Sequence, residues 1–424
     1  MNRGYISQPP ILPVEFGKIP EVRKFLLKNG VPVYLIDAGI EDLVRIEFIF
    51  RAGNAMEDLP LLASTTNMML TEGSRSYSSA KLNSLLDYYG AFYNLSVEKD
   101  HAGIAVIIIN KHIEKVLELV KEILFRPRFP VAELNALMKK RLSWYLINCD
   151  KVHNLAMDQF FESIFGKRHP YGRKVLADDF ENMDPALLSD FHSKYYSTEN
   201  MAVIISGKIL RRTTSLLNSI FGDIRFSRIY IEDSVNMLKE QTRKKVHINK
   251  RGALQAAIRI GSPTINKRHP DYPGLKILDV ILGGYFSSRL MKNIREEKGF
   301  TYGISSAVSS LNLRGFKVIS TEVSKKNTQK TIDEIYKEIR LLQVKPVEKA
   351  ELEIVRNYML GEMVRMFDGP FAIAESFKSA WEFDLDISYY YRFADRIKSI
   401  NPDEITALAR TYYNIDELYE ITAG

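Results

Sequence analysis

Two fourteen-residue stretches decide how this chain is read: MDPALLSDFHSKYY at 183–196 and INPDEITALARTYY at 400–413. In each, a proline follows Asp184 or Asn401, and a Tyr-Tyr pair arrives ten residues after that proline, with an offset of 217 between the copies. Lys121-Glu122-Ile123 followed by Pro130-Val131 returns as Lys337-Glu338-Ile339 followed by Pro346-Val347, at an offset of 216. Gly90-Ala91-Phe92-Tyr93 returns more loosely as Gly299-Phe300-Thr301-Tyr302, at an offset of 209. Three matches in one order at nearly one offset predict a duplicated domain of about 210 residues rather than a short solenoid repeat.

Each copy mixes strand and helix. Val44, Ile46, Phe48 and Phe50 alternate with Arg45 and Glu47, which predicts a half-buried strand, and 101–109 is a second strand candidate. Ile113, Val116, Leu117, Val120, Ile123 and Leu124 follow helical spacing. The second copy offers 254–260 and 316–323 as strands and 331–342 as a helix. Strands cluster and helices follow in long runs, so the fold class is α+β, with two homologous α/β-layered domains. The expected boundaries are 1–228 for the first domain, 229–251 for a linker and 252–424 for the second. The basic run Arg243-Lys244-Lys245 with Lys250-Arg251 reads as a solvated part of that linker, a docking patch being the other reading.

Composition narrows the class. The 424 residues are 46% hydrophobic and 26% charged, which excludes a disordered or collagen-like chain. A single cysteine, Cys149, excludes a disulfide framework and a Cys-rich zinc module. A net charge of +7 spread along the chain favours acidic partners and does not point to nucleic acid. The longest clean apolar run, 104–109, is far short of the roughly 18 residues of a membrane span. The segment MNRGYISQPPILPVEFGKIP has prolines where a secretory signal has its apolar core, so the expected location is cytoplasmic.

Local motifs supply little chemistry. No two of the seven histidines fall at i, i+3 or i, i+4, so a helical His metal site is absent. Gly283-Gly284 reads as a turn, with a phosphate cradle as the alternative, and Cys149 is a plain cysteine unless His153 serves it as a base.

Longer motifs carry further. Leu282-Gly283-Gly284-Tyr285-Phe286-Ser287-Ser288-Arg289-Leu290, continuing to Arg295-Glu296-Glu297-Lys298-Gly299-Phe300-Thr301-Tyr302-Gly303, resembles the C-terminal domain of the insulinase/pitrilysin metallopeptidase family. Arg51-Ala52-Gly53 and His169-Pro170-Tyr171-Gly172-Arg173 resemble the same family. The resemblance implies a zinc site built from H-x-x-E-H on a first-domain helix and a distal glutamate. Met69-Leu70-Thr71-Glu72-Gly73 aligns with the segment after that motif, so its positions fall on Ser64, Thr65, Thr66, Asn67 and Met68, and the distal ligand on Trp144. Both histidines, the general base and the distal carboxylate are missing, so no metal and no cofactor is expected. The resemblance also implies that Arg295 and Tyr302, seven residues apart, reach a substrate peptide. A chain of two such domains is half of a four-domain chamber. The expectation is a non-catalytic subunit that binds peptides with a separate H-x-x-E-H peptidase subunit; a peptide-binding or structural homodimer is the alternative.

Overall fold

The computed structural model describes residues 16–224 and 243–424. Two mixed sheets carry the architecture. The first contains β1 (Arg23–Leu26), β2 (Pro32–Asp37), β3 (Leu43–Phe50), β4 (Phe92–Val97), β5 (Ala102–Ile109) and β6 (Met201–Gly207), in the spatial order β1-β2-β6-β3-β5-β4. The second contains β7 (Lys245–Ile248), β8 (Gln255–Thr264), β9 (Ile304–Ser309), β10 (Gly315–Ser324) and β11 (Tyr419–Ala423), in the order β7-β11-β8-β10-β9. With β1 set aside, the two orders are the same strand for strand. A parallel pair, β2 with β6 or β7 with β11, lies at corresponding places, and the remaining pairs are antiparallel.

The helices repeat in the same way. The first half carries α1 (Leu62–Met69), α2 (Ser79–Tyr88), α3 (Ile113–Phe125), α4 (Val131–Asn148), α5 (Val152–Phe165), α6 (Pro185–Tyr195) and α7 (Arg211–Phe221). The second carries α8 (Tyr272–Asp279), α9 (Thr328–Val344), α10 (Lys349–Arg365), α11 (Pro370–Trp381), α12 (Ser388–Ser399) and α13 (Pro402–Tyr412).

The duplicated fourteen-residue stretches are α6 and α13, each leading into the strand beside the parallel edge. Their starts follow from capping chemistry. Asp184 accepts hydrogen bonds from the Ala186 and Leu187 amides at 2.8 and 2.9 Å, and Asn401 accepts from the Glu404 amide at 3.0 Å. In both, proline takes the first helical position, where its missing N–H is no loss. The second tyrosine of each pair, Tyr196 or Tyr413, is buried. Gly90 and Gly299 sit at corresponding turns with φ of 62° and 63°, a left-handed conformation that disfavours other residues.

Each sheet is covered on one side by its own helices and on the other by a helix of the opposite half. Phe160, Ile164 and Phe165 of α5 pack with Ala257, Phe316, Val318 and Ile421 of the second sheet. In return Ile373, Ala374 and Phe377 of α11 lie in a cluster with Ile36, Ile49 and Ile204 of the first sheet. A polar contact reinforces the exchange: Tyr171 donates to Asp100 Oδ1, while the Asn312 amide of the second half donates to Asp100 Oδ2 at 3.0 Å.

Four expectations need correction. Alternation in β3 predicted a solvated face at Arg45 and Glu47, yet Glu47 is 4% exposed. The face is covered by α11, whose Lys378 Nζ lies 2.8 Å from Glu47 Oε1. The stretch 229–251 is not simply a linker, because 245–248 forms β7, tied to β11; residues 229–242 lie outside the described residues. Within the basic run, Lys250 Nζ pairs with Asp150 of the first half at 2.6 Å, so it is not merely solvated. Gly283-Gly284 is not an open turn. It closes a π-helical extension of α8, Val280–Gly284, where a Cβ on Gly283 would come within 2.7 Å of Ser306 in β9. Among the described residues no helix is long and apolar enough to cross a membrane.

Shared cover makes the halves cooperative. Phe160→Ala, which removes a fully buried ring from the exchanged helix, is expected to destabilise the chain by about 3–5 kcal/mol. Urea unfolding is expected to stay a single transition, shifted as a whole; selective loss of one half contradicts mutual cover.

Candidate functional site

Helix α1 carries the positions that the resemblance assigns to zinc. Its first turn is anchored from outside: Glu57 Oε2 accepts the Ala63 amide at 2.8 Å, a favourable place for a carboxylate at a helix start. Arg173 holds Glu57 in turn, with Nη2 3.5 Å from Oε1 and both Nη atoms donating to the Glu57 and Asp58 carbonyls at 2.8 Å. Burial nonetheless pushes the Glu57 carboxyl from an ordinary 4.5 up to about 7, against the lowering effect of the Ala63 amide and Arg173.

The motif positions then go separate ways. Asn67, at the general-base position, is 1% exposed, and its Nδ2 donates to the Gly103 carbonyl at 3.2 Å and the Tyr196 hydroxyl at 3.1 Å. It joins α1 to β5 and α6 and has no free role. Ser64 and Met68, four residues apart, share one helical face, and Met68 is 44% exposed. Trp144 on α4 is 69% exposed.

One residue that sequence reasoning passed over stands among them. Arg141 lies one helical turn before Trp144, and its guanidinium bridges α4 to α1. Nη1 donates to Thr65 Oγ1 at 2.6 Å and Nη2 to Ser64 Oγ at 2.8 Å. The hydroxyls complete the arrangement by donating onward, Ser64 to the Leu61 carbonyl at 3.1 Å and Thr65 to the Met138 sulfur at 3.7 Å. The available signal was the basic run Lys139-Lys140-Arg141, whose meaning depends on α4 lying against α1. These residues do not fit zinc. The set offers a hydroxyl, a thioether, an indole and an already bonded amide, beside a fixed positive charge.

The second half presents a different site. Asp279, at the end of α8, is buried and accepts the Ser306 hydroxyl and, at 3.2 Å, the Val308 amide, fixing the helix to β9. Arg289 makes a two-pronged pair with Glu351 at 2.9 and 2.8 Å, joining the segment after Gly284 to α10. A π-helical segment, Met291–Glu297, follows and ends before Gly299. Arg295 lies in it, half-buried, with its guanidinium 4.8 Å above the Phe286 ring. Beyond Gly299 the turn is pinned at both sides, by Thr301 Oγ1 donating to the Glu322 carbonyl and Thr321 Oγ1 to the Gly303 carbonyl, each at 2.8 Å. Between the pins Tyr302 projects, 94% exposed.

The structure therefore places the two sets of sequence-derived candidates in different halves. Among the described residues, no hydrogen bond, ion pair or ring contact joins Arg295 or Tyr302 to Ser64, Asn67, Met68 or Trp144. Cys149 caps α4, its thiol 3.8 Å from the Leu146 carbonyl, while His153 faces Glu322 at 3.9 Å, so the two form no nucleophile–base pair.

The raised Glu57 pKa predicts a pH effect. The folded chain holds this proton more tightly than the unfolded chain, so the linked stability is complete below about pH 4.5 and is lost as pH rises through about 7. Glu57→Gln is expected to flatten the dependence of the urea midpoint on pH across that window. An unchanged slope contradicts the burial of this carboxyl.

Comparison with known proteins bears on the fold. The family described as the peptidase M16 inactive domain matches residues 182–359. The non-peptidase homolog YmxG of Helicobacter pylori is 19% identical over 395 residues, covering 92% of this chain and 90% of that protein. A match to an uncharacterized zinc protease of Mycobacterium leprae, 24% identical over 248 residues, covers 57% of this chain and spans about half of that relative, 55% of its length. Among solved structures, a peptidase M16 inactive domain from Pseudomonas fluorescens aligns with a TM-score of 0.81 at 20% identity, over 95% of this chain and 98% of the other. The periplasmic protease PqqL of Escherichia coli aligns with a TM-score of 0.80 at 13% identity, over 99% of this chain but 48% of that one. With the duplicated sheets and the Gly283-to-Gly303 segment in place, residues 182–359 match the peptidase M16 inactive domain, of the family known also as insulinase/pitrilysin, and over nearly its whole length the chain has the fold of a solved M16 inactive-domain protein.

Proposed function

We propose that this chain is a zinc-less, non-catalytic M16 subunit that completes the peptide-binding chamber of a separate subunit bearing H-x-x-E-H. The observation that carries the reading is the asymmetry between its halves. Among the described residues the first has no donor set for a metal, whereas the second presents Tyr302 on a pinned turn at 94% exposure, seven residues after an Arg295 stacked on the exposed Phe286. A tyrosine so open contributes nothing to this chain's own core. A phenol and a guanidinium at that spacing suit the carbonyl of a bound peptide and the negative charge that develops on it. The alignment over nearly all of this chain and 48% of PqqL fits a chain that is half of a larger enclosure.

In this role Arg295 and Tyr302 supply hydrogen-bond donors, and the partner supplies the metal and the general base. The Arg289–Glu351 pair and the two threonine pins are positioning contacts. The homodimer reading is favoured by one observation, that the Helicobacter pylori relative is named a non-peptidase homolog. It predicts self-association and peptide binding without turnover in any pairing.

The test is reconstitution with an H-x-x-E-H subunit from the same genome. Arg295→Ala and Tyr302→Phe are each expected to lower kcat/KM for peptide hydrolysis by roughly 10²-fold, the scale of one lost transition-state donor. Unchanged turnover by both variants, or no turnover by the unaltered pair, overturns the reading.

A further inference from the structure

We propose that the site where the metal motif has been lost is a subsite for a peptide carboxylate, centred on Arg141 and walled by Met68 and Trp144. The proposal rests on the peptide-binding role above and names a recognition element within it.

The first observation is an unneutralised cation. Arg141 is half-buried between α1 and α4, where a charge normally has an opposite charge in contact. Its hydrogen bonds instead go to neutral oxygens, Thr65 Oγ1 and Ser64 Oγ. Among the described residues no carboxylate lies within ion-pair distance of it. Glu57 is the acidic group that acts on it, and only from a distance. That carboxyl is committed to the Ala63 amide and to Arg173, and its burial leaves it only partly ionised near neutrality. A guanidinium has five N–H donors in a planar fork, and two hydroxyls leave donors over for a bidentate partner. A carboxylate supplies both the matching geometry and the missing charge.

The second observation is independent of charge. Met68 lies one turn beyond Ser64 on α1, and Trp144 one turn beyond Arg141 on α4, so each shares a helical face with one end of the Arg141–Ser64 bridge. Met68 is 44% exposed and Trp144 69%, and Ile147, a further turn along α4, is 69% exposed. An open indole, a thioether and an aliphatic side chain thus stand exposed on the two helices that Arg141 joins, and in the proposed subsite they supply its apolar wall. Beside a cation, that wall selects a carboxylate carried on an apolar segment. The C-terminal carboxylate of a peptide meets this description, as does an aspartate or glutamate within an apolar stretch.

The same arrangement accounts for the misfit to zinc. A fixed guanidinium bonded to Ser64 opposes a dication between these helices, and it offers an anion the attraction that a metal would otherwise supply. The loss of H-x-x-E-H is thus read as a change of ligand, from metal to carboxylate.

The experiment uses the full chain alone, without a partner subunit, and measures anisotropy of three labelled peptides. One is a short apolar peptide with a free C-terminal carboxylate, the second is its C-terminal amide, and the third is that amide with one internal glutamate. The acid is expected to bind at least about tenfold more tightly than the amide, the scale of a charge-assisted hydrogen bond. Recovery by the third peptide assigns the site to side-chain carboxylates, and its failure assigns the site to C-termini. Arg141→Gln is expected to abolish the difference between acid and amide, Arg141→Lys to restore part of it, and Trp144→Ala to weaken both peptides together. Equal binding of acid and amide by the unaltered chain overturns the subsite, and needs no variant to fold. So does an acid preference that survives Arg141→Gln, or binding of none of the three up to millimolar concentration. Because no turnover is measured, failure here leaves the Arg295 and Tyr302 result to decide the chamber role separately.

Discussion

The structure depends on the exchange of one helix between its halves. Each central sheet is apolar on both faces, and the elements of one half cover only one of them. Helix α5 covers the second sheet and α11 the first, so neither half can bury its core without the other. Burial of this kind is the dominant stabilising term in a domain, and here it is split across the duplication. The exchange also brings charge inside. Glu47, which would face water in an isolated first half, is closed over by Lys378, and Asp100 is satisfied by Tyr171 together with the Asn312 amide. The fixed relation of the halves is what gives two separated sites a stable geometry on one chain.

Those sites have diverged in chemistry while keeping one scaffold. The first-half position, where the resemblance puts zinc, keeps two packed helices, and the side chains on it among the described residues do not suit a zinc ion. Asn67, where the resemblance puts the general base, is spent on the core, its amide bonded to Gly103 and Tyr196. The second-half position retains a rigid support, built from the α8 extension, the Arg289–Glu351 pair and the threonine pins, and it carries side chains open to solvent.

Much of this was legible in the sequence, for identifiable reasons. The repeated stretches beginning at Asp184-Pro185 and Asn401-Pro402 announced the duplication, and the capping that makes them α6 and α13 is equally local, though it was not read as helix. Periodicity is local too, and it located β3, β5, β8, β10, α3 and α9. What failed depended on distant contacts. Glu47 looked solvated because its cover comes from α11, more than 300 residues away. Residues 245–248 looked like linker because their partner strand, β11, lies at the far end of the chain. Arg141 was invisible as a site residue because motif alignment asks which ligands are present or absent and ignores a cation one helical turn away. The Gly283-Gly284 pair was misread since its glycine requirement comes from close approach of Ser306 rather than from a turn.

This chain has the fold of M16 proteins, and we propose that it lacks their metal chemistry. Plasma emission analysis of the chain purified without chelator tests it most directly, with peptide hydrolysis assayed on the same sample. The account predicts far less than one zinc per chain and no hydrolysis by the chain alone. Stoichiometric zinc accompanied by hydrolysis would contradict it, and would mean that ligands other than Ser64, Asn67, Met68 and Trp144 hold a working metal.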